Sequence, residues 1–414
     1  MQGKYSFLEI HKEEWESICN NIKAEKGKQE IPFYLFHEGK VHENIEALRR
    51  CTGTSVKIAY AMKANPWLVK AAALTADYIE VCSLGELNLC REYGIPGEKI
   101  VLDGTCKDEE FMKTALDMEV KRVSIDSPEQ MRSYMNVARR KKKPELFLRV
   151  SSGNQFGMNE KEMQECIQMC KMVSDVEVIG LQYYAGTQKN NVRQIREDLE
   201  KLQEWLLLCE SNQAIQVRKL EFGAGIGVPY FEGEDIAEYR KAMNCVSDFI
   251  ATMLGRYDVT YEAGRNIAAN SGIYVTEVFQ LKEREDYRIV FCKGGTNHIH
   301  YHGGLLGIRT PIVQEFCSVQ SEKKTEMMIC GSLCNAGDVL VRRCNMNVEI
   351  DVGDLIIFYG VGAYSPTESP NLFLSMEMPA VLLYNENNDF FQNKYMVRSG
   401  LHTYKLIDDR TVDK

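Results

Sequence analysis

Short apolar runs that end on polar or glycine-rich tips recur through the first two-thirds of the chain, and a helix-like stretch follows each tip. One such run, Val56–Tyr60, leads directly to Lys63. This strand–helix alternation predicts an α/β fold with a parallel (β/α)8 barrel, in which functional side chains gather at the carboxyl ends of the strands. The eight tips are Lys63-Ala64-Asn65, Glu80–Ser83, Asp103-Gly104, Asp126-Ser127, Arg149-Val150, Tyr184–Gly186, Gly223–Gly225 and Glu262–Arg265.

The pattern changes beyond about Ile273, where short β-rich runs separated by turns replace the long helical periods. Runs such as Tyr274–Phe279 and Leu355–Phe358 predict a second, all-β domain. We therefore expect an N-terminal segment over residues 1–30 that packs on the β domain, a barrel over residues 31–272, and a C-terminal β domain over residues 273–414. Within the barrel, Ser83–Glu86 has the pattern of a capping box and predicts a helix start.

Composition narrows the class of protein. The chain has 414 residues, of which 44% are hydrophobic and 26% charged, as in an ordinary globular protein with room for two cores. A formal net charge of −9 argues against a nucleic-acid partner, because phosphate binding needs a basic surface. No apolar stretch approaches the ~18 residues of a membrane helix, so we expect no membrane association.

The fourteen cysteines are scattered and include no C-x-x-C motif. The first residues, Met1–Tyr5, lead into charged sequence and do not form a secretory signal. Both features predict reduced thiols and a cytoplasmic location.

Lys63 and the tip Glu262–Arg265 carry the candidate chemistry of the barrel. A charged lysine is costly to bury at a strand end, and a covalent bond to an aldehyde relieves that cost, although a surface lysine is the ordinary interpretation. In Glu262–Arg265 a carboxylate can face a pyridine nitrogen, a glycine permits close approach, and an arginine can fork onto a phosphate. A simple ion pair between Glu262 and Arg265 is an equally good explanation of that tip.

Three further features have ordinary explanations when taken singly. Gly223–Gly227 forms a glycine loop whose backbone N–H groups can bind phosphate, but turns also collect glycine, and its spacing is not that of a dinucleotide site. Cys334 and Tyr364 lie in turn-rich segments of the β domain, where such residues usually pack. His298, His300 and His302 alternate as ligands on one strand face would, but no carboxylate lies in register, so we expect a pocket rim and no metal.

Taken together and in order, these segments resemble the fold-type III pyridoxal-phosphate decarboxylases, the family of diaminopimelate and ornithine decarboxylases. The similarity extends from about Ile31 to about Tyr384. The segments that carry it are Tyr60–Asn65, Glu80–Leu87, Gln155–Met158, Gly180–Gln188, Gly223–Gly227, Glu262–Arg265, Cys334 and Gly362-Ala363-Tyr364.

The resemblance implies an alanine-racemase-like barrel, a C-terminal β domain, a pyridoxal 5'-phosphate cofactor and a homodimer whose active sites are shared between two chains. Lys63 would hold the cofactor, Glu262 would meet its pyridine nitrogen, and Cys334 of the partner chain would protonate the carbon that loses CO2. The implied cofactor-binding residues are Lys63, Glu80, Tyr184, Thr187, Gly225, Ile226, Gly227, Glu262, Gly264, Arg265 and Tyr364; those implied for the substrate are Asn335, His298 and Tyr364.

The departures from the family pattern concern the substrate. Tyr184 stands where the well-known branches stack a histidine, and the neutral Asn335 stands where they place an acid. Gly294–His298 lacks the arginine that grips the distal carboxylate of diaminopimelate, and Ser375–Pro379 replaces another arginine-containing segment. A smaller branch, which acts on glutamate tethered to an acyl-carrier protein in antibiotic biosynthesis, shares these features. Its shared segments include Tyr184–Gln188, Gly227–Phe231 and Tyr274–Val278.

We therefore expect α-decarboxylation of an L-amino acid with an uncharged or carrier-tethered side chain. Decarboxylation of a free acid, such as diaminopimelate, ornithine or lysine, is the close alternative. Racemase chemistry is disfavoured by Glu262, because alanine racemases place an arginine at the ring nitrogen. A regulatory homologue that binds the cofactor without catalysis is disfavoured by retention of Lys63, Arg265, Cys334 and Tyr364.

Overall fold

The computed structural model describes residues 3–24, 31–138, 144–172, 177–212, 215–301, 306–316 and 320–385. These residues form two compact units. The barrel unit contains the described residues within Met1–Glu9, Lys40–Pro229 and Asp235–Ala268; the sheet unit contains those within Ile10–Gly39, Tyr230–Glu234 and Ala269–Lys414.

Sixteen strands and eleven α-helices are found among the described residues. The strands are β1 (Phe33–His37), β2 (Lys57–Ala61), β3 (Tyr78–Val81), β4 (Ile100–Leu102), β5 (Arg122–Ile125), β6 (Glu145–Arg149), β7 (Val178–Tyr184), β8 (Lys219–Gly223), β9 (Asp258–Ala263), β10 (Gly272–Glu283), β11 (Arg288–Cys292), β12 (Val313–Phe316), β13 (Gln320–Cys330), β14 (Val339–Val348), β15 (Leu355–Tyr359) and β16 (Ala380–Tyr384). The helices are α1 (Lys12–Ala24), α2 (Glu38–Thr52), α3 (Val69–Thr75), α4 (Leu84–Glu92), α5 (Glu109–Asp117), α6 (Pro128–Val137), α7 (Glu160–Lys171), α8 (Val192–Asn212), α9 (Ile236–Met253), α10 (Arg265–Ala268) and α11 (Ser365–Glu368).

Strands β2 to β9 close into a parallel barrel in sequence order, with β9 pairing back onto β2. Each of these eight strands ends at one of the eight polar or glycine-rich tips, so the predicted barrel is confirmed. Because the strands are parallel, all eight tips lie at the same end of the barrel. The strand interiors are almost wholly buried, as in Val178–Tyr184, because helices cover the outside of such a sheet.

Polar caps fix where the barrel helices begin. Asp108, Ser127 and Asn159 each accept a backbone N–H from the first turn of the helix that follows. Ser83 likewise accepts the N–H of Glu86, which confirms the predicted start of α4. The other half of the expected box differs, because the Glu86 carboxylate accepts the N–H of Cys82 at 2.6 Å instead of that of Ser83. This bond ties the start of α4 directly to the tip of β3.

Strand β1 belongs to the sheet unit and not to the barrel, although the sequence places the start of the barrel at residue 31. It pairs antiparallel with β10 and parallel with β16. Its five residues, Phe33–His37, are all buried and a helix follows at once, so the local pattern is that of a barrel strand. The pairing partners lie more than 200 residues away, beyond the reach of a local pattern.

The sheet unit is an eight-stranded mixed sheet with the path β12-β15-β10-β11-β13-β14; β1 pairs with β10, and β16 pairs with β1. Trp15, Ile18 and Cys19 of α1 pack in one core with Phe33 and Ile357. Ile273 and Val275 of β10 and Tyr359 of β15 belong to the same core. Among the described residues, no helix is both long enough and apolar enough to cross a membrane.

Candidate active site

Lys63 lies in the 3-10 turn that directly follows β2, at the carboxyl end of the barrel. Its Nζ donates to Glu80 Oε1 at 2.6 Å. The carboxylate is buried, with 1% of its side chain exposed, whereas 39% of the lysine side chain is accessible. The ion pair therefore aims the amine at the barrel mouth. The ammonium also lies 5.9 Å from the centre of the Tyr184 ring, a distance at which a cation and an aromatic face attract.

Cys82 extends this pair and was not identified as a site residue from the sequence. Its thiol donates to Glu80 Oε1 at 3.1 Å, and Lys63 Nζ lies 3.5 Å from its sulfur. Burial raises the pKa of the Cys82 thiol well above its usual value, and the Glu80 carboxylate raises it further. The thiol is consequently a neutral donor that helps to hold Glu80 in place.

Glu262 lies near the end of β9 and is 6% exposed. Gln182 Nε2 donates to both of its oxygens, at 3.0 and 3.3 Å. Burial raises the pKa of the Glu262 carboxyl well above its usual value, and the nearby carboxylates of Glu80 and Glu221 add to this. A carboxyl in this setting gains stability when a cation, such as a protonated ring nitrogen, comes against it.

Gly223 on the neighbouring strand leaves the space that the ring of Tyr184 occupies. A Cβ on Gly223 would lie only 2.7 Å from Tyr184 Cδ2, so only glycine leaves room for the ring at this point of β8. Tyr184 ends β7, in register with Gly223. The ring thereby offers an aromatic face beside Lys63 on which a planar cofactor can stack.

Two loops are joined into a cup beside this ring. Lys189 N donates to Gly225 O and Gly227 N donates to Lys189 O, both at 2.9 Å. The Gln188 side chain clamps the same pair of loops, because its Nε2 donates to Val228 O at 2.6 Å. Gly225 has φ +66°, and a Cβ there would overlap the carbonyl oxygen of Gly186, so the close approach of the loops requires glycine.

Arg265 and Thr187 complete the polar lining of the cup. Arg265 is 7% exposed, and its Nε and Nη2 lie 3.4 and 3.3 Å from Thr187 Oγ1. A guanidinium and a hydroxyl beside a glycine loop form a suitable donor set for a phosphate. Ile226 and Gly264 belong to the two backbone segments that place these groups. Together with Lys63, Tyr184 and Glu262, these groups fit pyridoxal phosphate. Lys63 suits its aldehyde, the Tyr184 ring its ring face, and Glu262 its ring nitrogen. The guanidinium and the hydroxyl suit its phosphate.

A second ionic network occupies the tips of β4, β5 and β6. Arg149 Nη1 lies 3.1 Å from Asp103 Oδ2, and its Nε lies 3.4 Å from Asp126 Oδ1. The pKa of Asp103 is well below its usual value: burial opposes this, but the cations of Arg149, Lys107 and Lys63 outweigh it. Glu80, Cys82 and Asp103 form a group that is close enough to share a metal ion. The surrounding cations disfavour one there.

Cys334 and Asn335 lie exposed in the loop between β13 and β14 of the sheet unit. Asp338 anchors this loop: its buried carboxylate accepts from Thr296 N at 2.7 Å and from Leu333 N at 2.8 Å. The loop is therefore a fixed support for two accessible side chains. The Oδ1 atom of Asn335 accepts the N–H of Gly337 at 2.9 Å, which defines the orientation of its amide.

Tyr364 has φ +67°, a left-handed conformation that a non-glycine residue adopts only when its surroundings impose it. The preceding Gly362 N donates to Ala269 O at 2.9 Å, and α11 begins at the next residue, Ser365. The strained backbone is thus fixed on both sides. Residues in such conformations often cluster at functional sites.

The described histidines of the alternating segment do not act together. His298 is 2% exposed, its Nδ1 lies 2.9 Å from Tyr274 Oη, and burial lowers its pKa to about 4. His300 is partly exposed and lies 3.4 Å from Glu368. His302 is outside the described residues. His298 is therefore placed as a neutral packing residue in this chain.

Sequence reasoning also missed Gln182, Arg122 and Glu221, which lie inside the barrel. Arg122 Nη1 donates to Glu221 Oε2 at 2.9 Å and to Thr260 Oγ1 at 2.8 Å across the barrel. A signal for these residues was present, since each is a polar residue within a short apolar strand run. Such residues on a strand buried on both faces must find partners inside.

Comparisons with known proteins agree with this chemistry. The sequence profile described as "Pyridoxal-dependent decarboxylase, pyridoxal binding domain" matches residues 38–269. The L-glutamyl-[BtrI acyl-carrier protein] decarboxylase of Niallia circulans is 26% identical over 389 residues, which cover 87% of this chain and 90% of the relative. The diaminopimelate decarboxylase of Aquifex aeolicus (strain VF5) is 24% identical over 379 residues, covering 86% and 87% of the two chains.

Solved structures share the fold over most of the chain. Diaminopimelate decarboxylase from M. jannaschii in co-complex with L-lysine matches with a TM-score of 0.77 at 21% identity, covering 89% of this chain and 90% of that one. Lysine/ornithine decarboxylase from Vibrio vulnificus, complexed with cadaverine, matches with a TM-score of 0.76 at 19% identity, covering 89% and 98%. The predicted barrel and β domain therefore recur together in proteins of known structure.

The burial of His298 predicts how stability depends on pH. Unfolded His298 takes up a proton near its usual pKa of 6.5, whereas the folded residue does so only near 4. The unfolded state therefore binds more protons between these values, and stability is lost as the pH falls from 6.5 towards 4. We expect the unfolding free energy to be on the order of 2 kcal/mol lower at pH 5 than at pH 7 from this residue alone.

Urea unfolding of the wild type and of His298→Gln at pH 7 and pH 5 measures this effect. The variant should lose most of the pH dependence, whereas His300→Gln, a matched change at a partly exposed position, should retain it. Equal pH dependence in all three proteins would show that His298 is accessible to protons in the folded state.

Proposed function

Since the chain belongs to the pyridoxal-dependent decarboxylase family, we propose that it removes the α-carboxylate of an L-amino acid whose distal end is uncharged or tethered as a thioester to an acyl-carrier protein. The observation that carries this substrate class is Asn335, a neutral side chain exposed on the loop beside Cys334. The Niallia circulans relative, named for an acyl-carrier substrate, supports the same assignment. A tethered substrate suits specialised metabolism better than the supply of a free amino acid.

A free amino acid is the second candidate, and it rests on the names of the relatives. Seven of the eight relatives compared are diaminopimelate decarboxylases. Against this candidate, Gly294–His298 contains no arginine to pair with a distal carboxylate. A buried charge without its partner is strongly unfavourable, so a doubly zwitterionic substrate is expected to bind poorly.

We assign the cofactor contacts as follows. When bound, pyridoxal phosphate supplies an aldehyde for the lysine and an electron sink for the carbon that loses CO2. Lys63 would hold the aldehyde end, and Glu80, 2.6 Å from its amine, would orient that amine. Tyr184 would stack on the ring and Glu262 would face the ring nitrogen. The phosphate would be held by Thr187, Gly225, Ile226, Gly227, Gly264 and Arg265.

We further propose that two chains complete each site. Cys334 of a second copy would deliver the proton that replaces the carboxylate on the α-carbon, and Tyr364 of that copy would contact phosphate and substrate. The Cys334 side chain is exposed, and a thiol in reach of the reacting carbon can serve as a proton donor. The fixed loop and the strained Tyr364 backbone support precise placement of both groups.

The test of the substrate class is CO2 release by the protein loaded with pyridoxal phosphate. Free glutamate, ornithine, lysine, arginine and diaminopimelate are compared with the same acids loaded on carrier proteins. We expect turnover only with carrier-bound acids. Turnover of a free acid at a comparable rate would refute the tethered-substrate proposal and place the chain with the free-acid enzymes.

The glycine cup predicts the effect of a single methyl group on cofactor binding. Gly225→Ala should weaken binding of pyridoxal phosphate at least tenfold, because the methyl would separate the two loops by overlapping the Gly186 carbonyl. Gly255→Ala is the matched control: Gly255 has φ +87° but no atom within 4 Å of an added Cβ, so it carries only the backbone strain. Spectrophotometric titration of both variants with the cofactor measures the difference. Equal affinities would remove Gly225 from the phosphate site.

The shared site predicts complementation between two defective variants. Cys334→Ala should bind the cofactor but turn over slowly or transaminate the substrate, and Lys63→Ala should be inactive. The two variants are unfolded together and allowed to reassemble. Half of the dimers should then be mixed, and each mixed dimer has one intact site. We therefore expect roughly a quarter of wild-type activity to return. Each variant reassembled alone is the control. No restoration, with mixed dimers demonstrated by mass, would place Cys334 and Lys63 of the same chain in one site.

A further inference from the structure

Two buried carboxyl groups project from neighbouring strands into the barrel interior. Glu221 on β8 is 1% exposed and Glu262 on β9 is 6% exposed. Glu221 lies in register with Gln182 of β7, whose amide reaches past it to Glu262, so the two acids are neighbours. Glu221 Oε1 has no hydrogen-bond partner among the described residues. Two ionised carboxylates side by side repel each other, and one proton on the pair removes that repulsion and gives the unpartnered oxygen a donor.

The surrounding charges show on which member the proton is held. Arg122 of β5 donates to Glu221 at 2.9 Å and favours its ionised form. Gln182 of β7 gives Glu262 only a neutral amide. Among the described residues, no salt bridge reaches Glu262.

Two other acids of the barrel mouth are paired with cations. Glu80 on β3 pairs with Lys63 after β2, and Asp103 on β4 pairs with Arg149 on β6. Lys107 adds a cation beside Asp103. Glu262 is thus a buried acid next to other acids, and a neutral carboxyl is its stable form until a cation arrives.

We propose that Glu221 and Glu262 share one proton while the cofactor is absent, and that this proton leaves to solvent when the protonated pyridine nitrogen of pyridoxal phosphate comes against Glu262. Glu221 is then a positioning residue that sets the charge of the group facing the ring. The balance is simple: the pair loses one proton, Glu262 becomes an anion beside the ring cation, and no electrons are transferred. The inference rests on the proposed placement of Glu262 at the ring nitrogen.

The proton can be observed directly in the cofactor-free protein by infrared spectroscopy. We expect a carbonyl stretch of a buried protonated carboxyl at pH 7 that disappears when pyridoxal phosphate is added. Glu262→Gln should abolish the band, and Glu221→Gln should abolish it too, because the new amide can donate to an ionised Glu262 while Arg122 loses its carboxylate. Asp338→Asn is the matched control and should leave the band unchanged, since buried Asp338 accepts two backbone N–H groups far from this pair in the sequence and belongs to the sheet unit.

Calorimetry supplies a second readout that does not depend on catalysis. Titration of the cofactor into wild type and Glu221→Gln, in buffers of different ionisation enthalpy, gives the number of protons exchanged on binding. The variant should release about one proton fewer than the wild type, whatever the protonation state of the free cofactor. Should Glu221→Gln fail to fold, Glu221→Asp and the wild-type infrared spectrum still decide the question.

Absence of the band in the cofactor-free wild type, or equal proton release by wild type and variant, would overturn the shared proton. A band that is present at pH 7 but unaffected by the cofactor would place the ring nitrogen elsewhere. That result would count against the assigned role of Glu262 and leave the carboxyl pair intact. Activity assays on candidate substrates decide the proposed function separately.

Discussion

The ion pairs inside the barrel are the interaction on which the rest of the site depends. Closing eight parallel strands brings acidic and basic tips to one rim, where burial makes an unmatched charge cost several kcal/mol. Lys63 with Glu80 and Arg149 with Asp103 match these charges at the rim, and Arg122 with Glu221 does the same in the barrel interior. The Lys63 side chain is partly accessible whereas its partner Glu80 is buried, so the ion pair also orients the lysine amine.

The pairing of charges also determines which buried group can still bind a charged ligand. Glu262 has a neutral amide for a partner, and it therefore has the most to gain from an incoming cation. The glycine cup provides the opposite complement, a guanidinium beside a hydroxyl. A ligand that is cationic at one end and anionic at the other satisfies both ends at once, which is the charge distribution of a pyridinium phosphate.

Sequence periodicity predicts the barrel because each βα unit repeats the same local signal, and the eight tips match the ends of eight strands. It fails at Phe33–His37, where the same signal occurs but the pairing partners, Gly272–Val275 and Ala380–Tyr384, lie far along the chain. The same limit applies inside the site. Lys63 and Glu262 are recognised because they end strands, but the contact between Arg122 and Glu221 spans 99 residues and crosses the barrel interior.

The residues to which we assign substrate selection lie on the sheet unit, in a loop whose backbone is held independently of their side chains. Asp338 fixes the loop of Cys334 and Asn335 through backbone N–H groups, so the loop keeps its shape whichever side chains it displays. A different side chain at position 335 would therefore leave these anchoring contacts in place. His298 illustrates the complementary case: its ring is buried against Tyr274, so a histidine-rich segment contributes packing at that position and specificity only where its side chains are exposed. The barrel groups and the exposed loop side chains are held by separate sets of contacts, so either set can change without the other.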